Sequence, residues 1–311
     1  MFRFTFWIAV MLCFIILVGG SAVTLSFTQS KITNWMKKAR GEYIVKLQAT
    51  KQDDADSLYE LGAWARKNGL DGAAQAQFRK TLKIKPDHEK ARAAAGYVKK
   101  GNTWVRDYTP LAKKIRFKID DSISASAGEI KTLLSNPKNL ADMLKQIDDR
   151  LGLYRGAEDF DIEIHLKGQA SGVGVTWPVS AMGDDKVPPP FVATIELDGS
   201  VLAGKGMDYF RKALTHELTH ALMGAVQIFM YDWQAEGIAS YTGGDDTSAY
   251  VKFKAKWDAI AKKYGAGKVK EWGMVLTDEW VDLWEKGDLA SAAFEKTIGK
   301  TTAEIEKEVG R

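Results

Sequence analysis

Cysteine is almost absent from this chain of 311 residues: its one thiol, Cys13, lies inside an apolar run near the N-terminus. A single cysteine excludes a disulfide framework and removes sulfur from any metal site in the remainder. Histidine is scarce too, with four in the whole chain. An excess of one charge is also missing. The 44 basic and 40 acidic residues leave a formal charge of +4, and no basic stripe with interleaved aromatics appears, so nothing calls for nucleic acid as a partner. What is present suffices for folding: 45% of the residues are hydrophobic, which at this length supports one substantial core and a smaller satellite.

Two of the four histidines fall in one pentapeptide, His216-Glu-Leu-Thr-His220. It sits in the run Met207 to Gly224, where Phe210, Leu214, Leu218, Ala221 and Leu222 form the apolar side of an amphipathic helix. Histidines at i and i+4 project from one helix face. Glu236 stands sixteen residues past His220, in Trp233-Gln-Ala-Glu-Gly-Ile-Ala-Ser-Tyr241. A carboxylate arriving from that next helix would close a third corner of a zinc tetrahedron and leave the fourth for water. Glu217 lies about 100° around the helix from His216, which suits it to general-base work on that water and not to ligation.

These residues carry a resemblance to a family. Ala213-Leu-Thr-His-Glu-Leu-Thr-His-Ala-Leu222, with Trp233 to Tyr241 at short range beyond it, is similar to the gluzincin metallopeptidases, and most of all to the bacterial peptidase MA-like domains. The similarity spans roughly residues 110 to 311 and includes the tail segments Ala292 to Gly299 and Thr302 to Glu306. It implies that His216, His220 and Glu236 hold one catalytic Zn2+ and that Glu217 is the catalytic base. Four positions beyond Glu236, where such enzymes often carry an Asp that steadies a ligand histidine, this chain has Ser240, which implies a different second layer. The sequence does not single out an oxyanion donor: Tyr241, five positions after Glu236, stands beside Tyr209, Tyr231 and His165 as candidates.

The N-terminal segment, residues 1–24, contains the apolar run Phe4 to Val23 with Arg3 before it. It reads as a signal peptide or as a membrane anchor just long enough to span a bilayer. Either reading exports the rest of the chain, membrane-anchored with the metal domain extracytoplasmic, or periplasmic or secreted after cleavage. Residues 25–54 read as a juxtamembrane linker or helix. Within 55–104, Leu58, Leu61-Gly62, Ala65, Ala74, Phe78 and Pro86 match the spacing of a tetratricopeptide unit, with a break at Asn68-Gly69. Asp87 is positioned to cap a further short helix, and Gly96 to Trp104 reads as a turn. This segment is expected to pack on or space the metal domain, or to bind a protein partner.

In the metal domain, alternation predicts strands at Ile115 to Ile119, Phe160 to Leu166 and Val192 to Leu197, and helical spacing covers Ile130 to Ile147. Gly168 to Pro190 reads as a long loop. The resemblance implies that Phe191 to Asp198 lines the cleft and pairs with extended substrate. Helices are expected around 248–264, 278–286 and 290–309, with Trp257, Trp272, Trp280 and Trp284 in the core.

The resulting expectation is an α+β protein, with a thermolysin-like gluzincin domain behind a short all-α segment and an N-terminal transmembrane or signal helix. Its expected function is that of an exported zinc peptidase acting on peptide or protein substrates. The competing reading is a non-catalytic cell-envelope scaffold that binds a partner through the helical hairpin. Deleting residues 1–30 is predicted to yield a soluble protein that takes up one equivalent of zinc, because neither ordered part needs the apolar run for its core. Metal analysis of that variant checks it, and failure to bind zinc would favour the scaffold.

Overall fold

A computed structural model describes residues 37–123, 127–153, 160–169, 174–179, 191–224, 226, 230–244, 250–279, 283 and 288–310. The apolar run at 4–23 lies outside these. Among the described residues no helix is long and apolar enough to cross a membrane.

Residues 37–49 are helical and lead to a hairpin of α1 (Ala55–Lys67) and α2 (Asp71–Ile84). The break falls at Asn68-Gly69, where Gly69 takes φ 71°, a backbone conformation that a Cβ disfavours. Leu58, Leu61, Ala65, Ala74 and Phe78 are buried. A Cβ on Gly62 would lie 2.7 Å from the Phe78 ring, so the missing side chain lets the two helices close. The short α3 (Glu89–Ala94) is capped by His88, and not by Asp87 as the sequence suggests. The Nδ1 of His88 accepts from the Ala91 N–H at 3.1 Å while Nε2 faces Asp56 at 3.0 Å. An imidazole with one nitrogen turned to the helix end does the work of a capping oxygen.

The turn expected at Gly96 to Trp104 is a small hairpin, β1 (Tyr97–Lys100) and β2 (Thr103–Arg106), antiparallel around Gly101-Asn102. Then come α4 (Thr109–Lys114), β3 (Arg116–Ile119), α5 (Gly128–Leu134) and α6 (Pro137–Leu151). The periodic stretch 130–147 is thus two helices. Asn136 accepts from the Lys138 N–H at 3.0 Å and Pro137 opens α6, the arrangement a helix start favours.

Four strands form the main sheet: β3, β4 (Phe160–Lys167), β5 (Gly174–Val179) and β6 (Phe191–Asp198), in the order β3-β4-β6-β5. The pairs β3–β4 and β4–β6 are parallel, and β5 joins β6 antiparallel at one edge. Ile162, Ile164, Leu166, Ile195 and Leu197 are buried, whereas Asp161, Glu163 and His165 take the opposite face, as the alternation predicts. Two expectations need correction. β5 lies within the segment that reads as a loop, and its Pro178 is accommodated because a residue without an N–H fits an edge strand. β6 is bonded on both sides, so it cannot pair with a substrate; among the described residues the edge strands of this sheet are β3 and β5, and β5 is the one beside β6.

The chain continues through α7 (Gly199–Lys205), α8 (Met207–Met223), α9 (Asp232–Gly243), α10 (Val251–Tyr264), α11 (Ala266–Asp278), α12 (Leu289–Ile298) and α13 (Thr302–Val309). α11 falls outside the helices expected from the sequence, and the stretch 290–309 is two helices separated at Gly299. Trp257 and Trp272 are core residues, with rings 4.6 Å apart and Phe294 within 5.7 Å of both. Trp280 and Trp284 lie outside the described residues.

The hairpin does not stand apart. Leu61, Ala65, Ala74 and Phe78 belong to the same continuous core as the sheet and the helix Met207–Met223, α2 packs on α11, and Arg79 of α2 pairs with Asp278 of α11. Nearby, the buried Asp148 of α6 accepts from both Arg106 Nη1, at 2.6 Å, and the Tyr108 hydroxyl, at 2.6 Å. Burial opposes the charge on Arg106, but Asp148 outweighs it and raises that pKa. Asp148→Ala would strand a buried cation and a phenol, and is predicted to lower the unfolding free energy by about 3 kcal/mol, read as a urea midpoint at constant slope. A loss below about 1 kcal/mol would mean that water replaces the carboxylate.

Candidate metal centre

α8 presents buried residues on every face, from Phe210 and Leu214 to His216, Glu217, Leu218 and His220. Its polar groups are met locally: Thr215 donates to the Arg211 carbonyl and Thr219 to the Thr215 carbonyl, both at 2.8 Å. α9 comes next in the chain and packs against α8. The contact is made through glycine. A Cβ on Gly243 would lie 2.7 Å from the Lys212 carbonyl oxygen and 3.2 Å from the His216 nitrogen.

That approach carries Glu236 to the two histidines. Glu236 Oε2 lies 3.2 Å from His216 Nε2 and 3.5 Å from His220 Nε2, and the two Nε2 atoms are 3.1 Å apart. A tetrahedral zinc with bonds of about 2.0–2.1 Å requires ligand atoms roughly 3.3 Å from one another. The three measured separations lie around that value, so His216, His220 and Glu236 could hold a metal ion. Burial disfavours the charge of Glu236, yet hydrogen bonds with His216 and His220 outweigh it and bring its carboxyl down to about 2. A carboxylate that stays ionised between two imidazoles is the state ligation needs.

Ser240 is fully buried, with Oγ 3.3 Å from His216 Nδ1. It therefore occupies the outer side of the ring whose Nε2 faces Glu236, the place where a supporting group fixes a ligand's tautomer. Glu217 is 7% exposed, on the turn between the two histidines.

The tyrosines distribute differently from the sequence expectation. Tyr241 lies against α6, its ring 5.4 Å from the Arg150 guanidinium and its carbonyl accepting from Arg150. Burial raises its pKa, and the charges acting on it are those of Arg150, Asp258 and Lys254, none of them at the centre. Tyr209 sits under Lys205, Tyr231 caps α9 and is largely exposed, and His165 pairs with Glu163 on the sheet at 3.1 Å. The ring at the centre is Tyr250. It stacks on His216 with centroids 6.1 Å apart, and its hydroxyl is pushed up by burial and then by Glu236, Asp232 and Glu217. The sequence holds no signal for it, because the residue precedes α10 and meets the centre only through tertiary packing.

Glu236→Ala is expected to weaken zinc binding by at least two orders of magnitude, since two imidazoles alone leave half the tetrahedron to solvent. Asp245→Ala and Asp246→Ala, just past α9 in the sequence, should leave it unchanged. Competition with a chromophoric chelator measures all three, and the reverse ranking would move the third ligand. No family model, no curated protein and no solved structure matches this chain.

Proposed function

We propose that this chain is a zinc-dependent peptidase of gluzincin type, exported across a membrane and acting on peptide or protein substrates. The observation that carries the reading is the His216–His220–Glu236 set at separations suited to a tetrahedral ion, with the buried Glu217 between the two histidines in sequence. Zinc held there would supply Lewis acidity, acidifying water and polarising the scissile carbonyl. Glu217 takes the proton of the attacking water and passes it to the leaving amine. Tyr250, stacked on His216, replaces Tyr241 as the donor toward the carbonyl oxygen as negative charge develops there. An extended substrate would lie along β5, whose edge is open among the described residues and which packs beside α8. The buried setting of α8 supports this chemistry by keeping bulk water from competing for the same hydrogen bonds.

Glu217→Gln is expected to retain one zinc and the wild-type fold while losing peptidase activity by roughly three orders of magnitude or more. Cleavage products from a proteome-derived peptide library, compared between wild type and variant, give both the activity and the substrate preference. Retention of more than about a tenth of the wild-type rate would remove Glu217 from the base role.

A further inference from the structure

The C-terminal turn of α9 is held by a helix that contributes no ligand. From α6, Gln146 and Arg150 project on one face, one turn apart. Gln146 Nε2 donates to the Thr242 carbonyl at 2.6 Å, and Arg150 Nη1 donates to the Tyr241 carbonyl with its guanidinium 5.4 Å from the Tyr241 ring. These carbonyls belong to the last turn before Gly244, where a helix runs out of its own N–H donors. A cation there also favours the negative end of the helix dipole.

The turn so clamped is the one the metal centre depends on. It contains Ser240, which meets His216 Nδ1, and Gly243, which lies on the α8 backbone at Lys212 and His216. Glu236 stands one turn before Ser240 on the same face. A rotation or slide of α9 would shift Glu236 and Ser240 together and spoil separations of 3.2 and 3.5 Å.

From this geometry we propose that Arg150, assisted by Gln146, is a positioning residue for the metal centre: it fixes the C-terminal turn of α9 so that Glu236 and Ser240 meet His216 in register. The inference rests on the metal-centre reading but not on the peptidase chemistry, because its readout is metal binding. The solvent-side Lys145, paired with Asp149 on the same helix, provides the control.

The test measures zinc affinity of the full chain by chelator competition, together with the visible spectrum of the cobalt(II)-loaded protein, which reports ligand geometry. Arg150→Met is expected to weaken zinc binding by about 10–100-fold and to alter the cobalt bands, with circular dichroism of the metal-free protein unchanged. Arg150→Lys, which keeps a cationic donor, should recover most of the loss, and Lys145→Met should match wild type. A folded Arg150→Met with affinity within about three-fold of wild type and unaltered cobalt bands overturns the proposal. If Arg150→Met does not fold, Gln146→Met, which removes one neutral bond, decides it: an unaltered affinity and spectrum there overturns the proposal, and a weakened one supports it. A wild-type chain that binds no zinc sinks this proposal together with the metal centre, whereas one that binds zinc and cleaves no peptide sinks the peptidase reading alone.

Discussion

The close approach of α9 to its neighbours is the constraint on which the site depends. Gly243 brings α9 onto the backbone of α8, and Gly237 does the same toward α10, where a Cβ would lie 2.9 Å from the Phe253 carbonyl oxygen. Glu236 immediately precedes the second of these glycines. Two missing side chains, on two different faces of one short helix, therefore set the distance at which a carboxylate reaches two imidazoles. Packed interiors do not absorb an extra methyl at backbone contact without displacing a helix.

Around that contact the polar groups form a closed arrangement. α8 carries a carboxylate and two imidazoles into an interior where unpartnered charge is strongly disfavoured. His216 and His220 meet Glu236, and Ser240 meets the far side of His216. A divalent ion at the convergence of these atoms would be met by the carboxylate of Glu236, which is a physical reason for a carboxylate to lie against two imidazoles in a buried setting.

The N-terminal hairpin takes part in the same body. Phe78 fills the space left by Gly62, Arg79 reaches Asp278, and Asp148 gathers Arg106 and Tyr108. α6 thus faces the β1–β2 and α4 region on one side and α9, which carries Glu236, on the other. The hairpin is therefore joined to the helices behind the sheet by the packing of α2 on α11 and the Arg79–Asp278 pair, and not only by the connecting chain.

Local signals in the sequence determined a good deal. Histidines at i and i+4 on an apolar-sided helix identified α8, the phrase around Glu236 marked the next helix as the one that brings a carboxylate to those histidines, and strict alternation located β3, β4 and β6. The hairpin is legible in small and large apolar residues at fixed spacing. These features are written in neighbouring residues, so periodicity exposes them. Tertiary structure alone decided the rest. β5 becomes a strand because β6 offers its backbone, which no Gly- and Pro-rich sequence announces. His88 caps a helix because Asp56 faces its other nitrogen. Tyr250 reaches His216, and Arg150 reaches Tyr241 across 91 positions, because long-range packing places them there. Pairing across such separations is selected by the folded ensemble as a whole, and single-sequence patterns carry no record of which distant backbone or side chain will be the partner.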